Sequence, residues 1–447
     1  MSSELTCASY RRGDAGYEAA RRGEMWNARL PARFPDIVVE ACSDADVIAA
    51  VRLARERGWK IAIRSGGHSW AANFVRDGGM LLDLSRMNSF EVNRDARTAT
   101  IEPGLKGTDL NRALRQHDLF FPSGHCITVG LGGFLLQGGF GWNSRVWGPA
   151  CLSIRAMDIV TATGELVRAS ETENSELFWA ARGAGPGFFG VVTKFHLTLY
   201  PRPKVFMNSA YLYPIDLLDE VLIWARAVQP SLARVLEGLV FVRRDIFGHP
   251  GPGALVMGPV LADSKDEAVA ALEALETCPV VKKALIRDVN VVTEYDDLLA
   301  GGEEMLYPRN RRYAADNMWT NASGEKLVPG MRRIASTLPN APSHMMWMLW
   351  GPNENRPDMA FSLEADLYIA LYSIWADPAE DDKHQAWVTD RMKELEPFST
   401  GIQVADENLA ARPSRFLANE NHRRLEVLRT KHDPNGVFHS HMGPPLV

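Results

Sequence analysis

The sequence predicts a two-domain α+β protein. Its 447 residues exceed what one hydrophobic core usually serves. Residues 37–101 alternate short apolar strands with helical segments, whereas residues 205–395 interleave several strands with several helices. Pro201 and Pro203 separate these two regions. We therefore expect three parts: a first domain at 1–203, whose main fold spans about 33–202, a second domain at 204–400, and a C-terminal segment at 401–447 that returns to the first domain.

The first domain begins with a strand, a helix and two further strands. The strands are "DIVVEA", "KIAIRS" and "MLLDLS", and the helix is "SDADVIAAVRLARERG". Ser43 is a suitable N-cap for this helix, and Gly58 is a suitable end. One helical face is apolar, formed by Val47, Ala50, Val51 and Ala54. This alternation indicates a sheet with parallel character.

The second domain is expected to contain an antiparallel sheet backed by helices on one side. Its strand-like segments include "VFMNSAYLYP", "EGLVFVRRD", "GALVMGPVLA", "HMMWMLWG" and "DLYIALYSIWAD". Helical segments such as "SKDEAVAALEAL" and "DDKHQAWVTDRMKEL" lie between them. A basic amphipathic helix, "NHRRLEVLRTKH", ends the chain before the turn residues "DPNG".

Composition excludes several classes of function. The net charge of −6 disfavours a nucleic-acid or anionic-membrane partner. There is no run of eighteen apolar residues, and the N-terminus lacks the apolar core of a secretory signal. Five cysteines without a CxxC pair predict neither a zinc site nor a disulfide framework. We expect a cytoplasmic protein without a bound metal.

Two glycine-rich loops are suited to an anionic ligand. They are "RSGGHS" at 64–69 and "GHCITVGLGGFLLQGGFG" at 124–141. Glycine allows close backbone approach, and successive amides can form a concave anion site. Neither loop is a P-loop, and Leu135 stands where a dinucleotide fingerprint needs its third glycine. From these residues alone, the two loops could equally be tight turns that bind no ligand.

In their order along the chain, these motifs resemble one family. The first loop "IRSGGHSW", the second loop "GHCITVGLGGFLLQGGFGWNSRVWG", the strand "GFFGVVTKFHLTLYP" and the tail "NHRRLEVLRTKHDPNGVF" all take part. The sequence resembles the berberine-bridge-enzyme-like flavin oxidases of the vanillyl-alcohol-oxidase superfamily over nearly its whole length. The resemblance implies a PCMH-type FAD-binding fold and an FAD-dependent enzyme.

The resemblance also implies how FAD is held. His68 is expected to join the 8α-methyl carbon, and Cys126 to join C6 of the ring through sulfur. His68 should be neutral, and the loop amides are expected to favour a Cys126 thiolate. Further cofactor contacts are expected from two sets of residues: Arg64, Ser65, Gly66, Gly67 and Ser69 at the pyrophosphate, and Thr128, Val129, Gly133, Gly138, Gly139 and Val192 elsewhere. A hydrogen-bonded but unlinked His68 and an unlinked Cys126 thiol are the alternatives, and His125 is interpreted as incidental.

The sequence departs from the family pattern at three places. Phe134 stands where relatives commonly have a histidine near the flavin N1–C2=O edge. Pro149, Leu152 and Ser153 replace a leucine and an Asp-Asn pair. Leu417 and Ala418 stand where relatives often have an aromatic or tyrosine pair in the tail. These changes leave the electron acceptor undecided between dioxygen and another molecule.

Candidates for the catalytic base lie on the second domain. In "DLYIALYSIW", Tyr368 and Tyr372 share one face of a strand, and Leu367, Ile369 and Leu371 share the other. The aliphatic face is suited to packing against the helices that back the sheet, so both tyrosines are expected to face the flavin on the opposite side. Glu364 is a further candidate, and His422 and Tyr313 are weaker ones.

The expected activity is oxidation of a C–H bond next to oxygen or nitrogen in a small molecule, with dioxygen as acceptor and hydrogen peroxide as product. The strand at 344–350 is rich in Met and Trp, which is typical of a core. If it lines the site, it favours a partly aromatic substrate of the kind met in secondary metabolism. The alternatives are a dehydrogenase of the same fold, a carbohydrate oxidase and a flavin-binding protein without turnover.

Overall fold

The computed structural model describes residues 5–353 and 355–443. Its strands, in chain order, are β1 (Ala8–Arg11), β2 (Ile37–Glu40), β3 (Ile61–Arg64), β4 (Met80–Asp83), β5 (Phe90–Asn93), β6 (Thr98–Ile101), β7 (Leu119–Phe120), β8 (Ile154–Thr161), β9 (Leu166–Ser170), β10 (Gly190–Thr198), β11 (Tyr200–Pro201), β12 (Val205–Pro214), β13 (Gly238–Ile246), β14 (His249–Ala262), β15 (Ile286–Thr293), β16 (Arg312–Thr320), β17 (His344–Leu349) and β18 (Leu367–Trp375). Its α-helices are α1 (Tyr17–Arg22), α2 (Asp44–Arg57), α3 (Gly107–Arg115), α4 (Leu131–Leu136), α5 (Ser144–Trp147), α6 (Ser175–Ala181), α7 (Leu218–Val228), α8 (Lys265–Leu272), α9 (Tyr295–Met305), α10 (Gly324–Thr337), α11 (Asp381–Leu395) and α12 (Asn419–His432).

The helix α2 forms as its sequence predicts. The Ser43 hydroxyl accepts a hydrogen bond from the Asp46 amide at 3.2 Å, which caps the first turn. Gly58 ends the helix with φ of +64°, a conformation that favours glycine. The apolar face is fully buried in the core of the first domain, with Val47, Ala50, Val51 and Ala54 all at 0% exposure.

The first domain contains two main sheets. One has the order β1-β2-β4-β3, in which β2, β4 and β3 are parallel. The other has the order β5-β6-β10-β8-β9 and is antiparallel throughout. Parallel character is thus confined to three strands, a narrower extent than the sequence predicts. The reason is connection length, because β5–β6 and β8–β9 are joined by short turns that permit only antiparallel pairing.

The second domain is a seven-stranded antiparallel sheet in the order β15-β12-β14-β13-β17-β18-β16. Helices α7, α8, α10 and α11 pack against one of its faces. On β18, Leu367, Ile369 and Leu371 belong to this helix-covered core. The prediction of an antiparallel sheet backed by helices is therefore confirmed. The opposite face of the sheet carries none of these helices and lies toward the first domain.

The C-terminal segment returns to the first domain. Leu425 and Leu428 of α12 are buried in the core that lies between the two sheets of that domain. Beyond the helix, Phe438 pairs in parallel with Ile61 of β3, and the Ile61 amide donates to the Val437 carbonyl at 2.7 Å. Across residues 5–353 and 355–443, no helix has the length and apolar character needed to cross a membrane.

Candidate functional site

A cavity of about 950 Å³ lies between the loops of the first domain and the sheet of the second. Ligand sites commonly have volumes of about 300–1,000 Å³. The wall on the first domain consists largely of loop backbone and glycine. The wall on the second domain carries aromatic and methionine side chains. The cavity therefore presents a polar loop wall and a largely apolar sheet wall to its ligand.

The first loop, residues 64–69, follows β3 and lines the cavity. The Arg64 guanidinium is buried and lies 2.5 Å from Asp83 Oδ2, so Arg64 can serve a ligand only through its backbone. Gly67 has φ of +66°, and an added Cβ would lie 2.5 Å from the Glu24 carbonyl oxygen. Glycine is therefore required where this loop turns.

The His68 imidazole is half-buried in the cavity wall. Its Nε2 lies 3.1 Å from the Thr128 hydroxyl of the second loop. Its ring stacks on Trp26, with centroids 4.8 Å apart and planes 15° from parallel. Burial lowers the pKa of His68 to about 3, so the imidazole is neutral near neutral pH. A neutral imidazole retains a nucleophilic nitrogen, as covalent attachment requires.

The second loop brings Cys126 to the same cavity. Burial, followed by the negative charges of Asp406 and Glu303, raises the pKa of the Cys126 thiol to about 12. This is opposite to the thiolate character expected from the loop amides, because burial penalises the charged form. The neighbouring His125 is also in the wall, with Nε2 2.9 Å from the buried carboxylate of Glu237.

Most of the predicted cofactor residues line the cavity. They are Arg64, Ser65, Gly66, Gly67, His68, Ser69, Cys126, Val129, Gly133, Gly139 and Val192. Thr128 lies outside the lining but contacts His68. Gly138 also lies outside it, and an added Cβ there would meet the Phe361 ring at 3.0 Å.

The residues of the loop wall fit a flavin dinucleotide. A Cβ added at Gly66 would lie 2.5 Å from the Gly130 nitrogen, so the two loops touch and form one continuous backbone wall. In contrast, a Cβ added at Gly133 would meet no atom within 4 Å, although this residue faces the cavity. That open space lies where a flavin ring or ribityl chain is expected. The described residues contain no group of three or more His, Cys, Asp or Glu arranged to hold a metal ion.

The sheet wall contains both predicted tyrosines of β18. Tyr368 and Tyr372 line the cavity, while the aliphatic residues between them face the helices. Burial, followed by the negative charge of Asp406, raises the pKa of both phenols well above the ordinary value. Both tyrosines are therefore protonated near neutral pH, and neither phenol is itself a resting base.

Asp406 is the group that these tyrosines share. Its carboxylate accepts a hydrogen bond from the Tyr372 hydroxyl at 2.8 Å and a second one from the Tyr368 hydroxyl. The Trp70 indole N–H donates to the other carboxylate oxygen at 2.5 Å. Asp406 ends a short 3₁₀ turn, Val404–Asp406, and lines the cavity. Sequence reasoning missed it, because this turn carries no motif and lies far along the chain from β18.

The other predicted base candidates lie outside the cavity lining. Glu364 is buried beside Arg356, with 2.9 Å between Oε2 and the guanidinium, and burial raises its pKa to about 7. The Tyr313 hydroxyl donates to the Pro308 carbonyl. His422 lies on α12 near Phe416. The structure therefore brings Tyr368 and Tyr372 to the site, but not Glu364, Tyr313 or His422.

The side chains of the methionine-rich strand β17 alternate between the two faces of the sheet. Met345 and Trp347 pack into the helix-covered core, whereas Met346 and Met348 line the cavity. Phe134, which stands where relatives commonly have a histidine, also lines the cavity. Pro149 and Ser153 lie outside the lining, and the segment between them packs behind the second loop, where the Ala150 amide donates to the Gly139 carbonyl at 2.7 Å.

Fold and site together define an FAD-dependent oxidoreductase with a PCMH-type FAD-binding domain. A family described as an FAD binding domain matches residues 35–170. The solved structure of 6-hydroxy-D-nicotine oxidase from Arthrobacter nicotinovorans is similar, with a TM-score of 0.85 at 23% identity over 98% of this chain and 97% of that one. The berberine-bridge-enzyme-like protein 1 of Physcomitrella patens has a TM-score of 0.82 at 21% identity, covering 99% and 97%.

Sequence relatives give the family. The FAD-linked oxidoreductase nodO of Hypoxylon pulicicidum is 34% identical over 428 residues, which cover 94% of this chain and 93% of the relative. The (R)-6-hydroxynicotine oxidase of Paenarthrobacter nicotinovorans is 34% identical over 243 residues, or 54% and 50% of the two chains. The chain belongs to the FAD-linked oxidoreductases.

Proposed function

We propose that this protein is an FAD-dependent oxidase whose flavin is joined to both His68 and Cys126. Its substrate is a small, partly aromatic molecule with an oxidisable C–H bond next to oxygen or nitrogen. Electrons pass to dioxygen, and hydrogen peroxide is released. When bound, FAD supplies the two-electron acceptor for this oxidation.

Covalent attachment at two points is supported by the placement of both side chains. His68 and Cys126 come from different loops and line the same cavity. His68 is neutral because burial lowers its pKa to about 3. Burial raises the pKa of Cys126 to about 12, so the thiol is protonated near neutral pH and would lose its proton as the sulfur–carbon bond forms.

Proton transfer is assigned to the cluster of Asp406 with Tyr368 and Tyr372, and this cluster is the observation that carries the proposal. A phenol oxygen takes the proton from a substrate hydroxyl or amine while its own proton passes to Asp406. The existing hydrogen bonds already place each phenol proton toward that carboxylate. Trp70 holds the other carboxylate oxygen, so the acceptor is fixed before the substrate binds.

The apolar part of the substrate is assigned to the sheet wall. Its lining there is chiefly hydrophobic, with Leu239, Phe241, Met257, Met346, Met348 and Tyr307. A sugar would place hydroxyls against the leucine, phenylalanine and methionine side chains, which offer no strong hydrogen bond, and this is unfavourable. A flat aromatic ring suits methionine and tyrosine neighbours. The name of the relative (R)-6-hydroxynicotine oxidase indicates such a substrate for that protein.

The test is anaerobic mixing of the purified protein with three sets of probes: (R)-6-hydroxynicotine with aromatic alcohols and amines, simple aliphatic alcohols, and sugars. We expect an aromatic probe to bleach the flavin absorbance, and air to restore it with release of peroxide. Bleaching by sugars alone would support a carbohydrate oxidase instead. Bleaching that air fails to reverse would indicate a dehydrogenase, and bleaching by dithionite alone would indicate a flavin-binding protein without turnover.

A further inference from the structure

We propose that Trp26 and Thr128 are positioning residues for the covalent attachment of FAD at His68. Trp26 belongs to residues 24–30, named here the strap, which lie in the first domain and contact the second, where the Ala28 amide donates to the Arg311 carbonyl at 3.0 Å. The proposal rests on the attachment at His68 that the proposed function includes. It adds a role for two residues that lie outside the cavity lining.

The His68 imidazole is held on three sides. Trp26 covers one ring face in a nearly parallel stack, with 4.8 Å between centroids. Thr128 engages Nε2 at 3.1 Å, and Trp70 meets the ring edge-on with 5.9 Å between centroids. Among the described residues, no other side chain forms a hydrogen bond with Nδ1. A backbone hydrogen bond of His68 itself partly offsets the effect of burial on its pKa. The ring is therefore fixed by neighbours whose side chains do not engage Nδ1, which leaves this nitrogen for the bond to flavin.

The strap is anchored to both domains, which makes Trp26 a rigid support. The Trp26 amide donates to the Gly67 carbonyl at 3.0 Å in the first loop. The fully buried Asn27 side chain donates to the carbonyls of Trp70 and Tyr313, both at 2.9 Å. Through Tyr313, Asn27 reaches β16 of the second domain. The support of the stack on His68 therefore includes a contact with the second domain.

Orientation matters because attachment forms one covalent bond between two particular atoms, the imidazole nitrogen and the 8α-methyl carbon of the flavin. The imidazole nitrogen loses one hydrogen and the 8α-methyl carbon loses another as the N–C bond forms. The two electrons released pass to dioxygen, which becomes hydrogen peroxide. Misplacing one reacting atom in such a closure reduces the rate strongly. Removing either support of the ring should therefore slow attachment without removing the FAD site.

The experiment uses full-length Cys126→Ala protein, in which His68 is the one remaining attachment point. In that background, the variants are Trp26→Ala, Trp26→Phe, Thr128→Val and Thr128→Ser. The measurement is the share of bound FAD that stays on the polypeptide after acid denaturation, followed over time by gel fluorescence and intact mass. We expect Trp26→Ala and Thr128→Val to attach FAD about tenfold more slowly or worse. Trp26→Phe keeps a ring and Thr128→Ser keeps a hydroxyl, so both should attach at near the parent rate.

Flavin absorbance before denaturation shows that a variant folds and binds FAD. Should Trp26→Ala fail to bind it, the comparison of Thr128→Val with Thr128→Ser decides the question. Attachment at the parent rate in Thr128→Val, with FAD bound, would overturn the proposal. His68→Ala in the same background separates failure of this proposal from failure of the proposed attachment site. If this variant also keeps FAD through denaturation, the assignment of His68 itself is wrong.

Discussion

The two walls of the cavity are built in different ways. On the loop wall, His68 and Cys126 each lie within one continuous glycine-rich segment, and the two segments touch at Gly66 and Gly130. On the sheet wall, the cluster to which we assign proton transfer combines Trp70, two tyrosines of β18 and Asp406 from a turn of the C-terminal segment. A cofactor site made of contiguous loops is therefore evident from sequence, whereas a cluster assembled from three distant segments is not.

The strongest test of this contrast is Asp406→Asn. An amide keeps the hydrogen-bonding shape but is a poor proton acceptor, so flavin reduction by substrate should slow by about 10²–10⁴-fold. FAD should stay attached, because Asp406 belongs to the sheet wall. Stopped-flow absorbance measures the reduction, and denatured-protein fluorescence measures the attachment. Reduction at the wild-type rate would remove Asp406 from the mechanism.

Glu364→Gln sharpens the comparison by testing the base candidate that lies outside the cavity. Burial raises the pKa of Glu364 from 4.5 to about 7, so its neutral form is favoured in the folded protein. The unfolded chain ionises first as pH rises, so wild-type stability should fall between pH 4.5 and 7 by about 3 kcal/mol relative to Glu364→Gln.

Urea unfolding of both proteins at pH 5 and pH 8 measures this difference. We expect Glu364→Gln to be the more stable protein at pH 8 and nearly equal at pH 5. Flavin reduction by substrate should be unchanged. If Glu364→Gln lost flavin reduction by substrate while its free energy of unfolding stayed unchanged, Glu364 would have a role in the reaction.

Two glycine variants test the loop wall itself. Gly66→Ala places a Cβ 2.5 Å from the Gly130 nitrogen, so the loops must separate, at a cost of about 1–3 kcal/mol of folding free energy. Gly133→Ala is its matched control, because its Cβ would meet no protein atom within 4 Å. We expect Gly133→Ala to fold as well as wild type but to bind FAD more weakly, as thermal melting and flavin content will show. Equal FAD binding in Gly133→Ala would place the flavin elsewhere.

The smallest effect is expected from the single tyrosine variants. Tyr368→Phe and Tyr372→Phe each remove one donor to Asp406 and leave the other. Each should slow flavin reduction by about tenfold, and the double variant by more than the product, because the two phenols share one acceptor. A strictly multiplicative result would show that the two phenols act independently of each other and would contradict a shared acceptor.

Sequence reasoning was most successful where the physics is local. The cap at Ser43, the end at Gly58 and the two-sided alternation of β18 follow from periodicity and turn chemistry, and all three are confirmed. It was less successful where surroundings decide the chemistry. Cys126 looked suited to a thiolate, but burial raises its pKa to about 12. Glu364 lies three residues before the first residue of β18 and pairs with Arg356, a contact that chain order does not reveal.

The most direct test of the central claim is the intact mass of the denatured protein. We predict that wild type carries one FAD through denaturation. His68→Ala should keep it through Cys126, Cys126→Ala should keep it through His68, and the double variant should shed it. A wild-type chain at its bare mass would contradict the account, because neither loop residue would then hold the flavin.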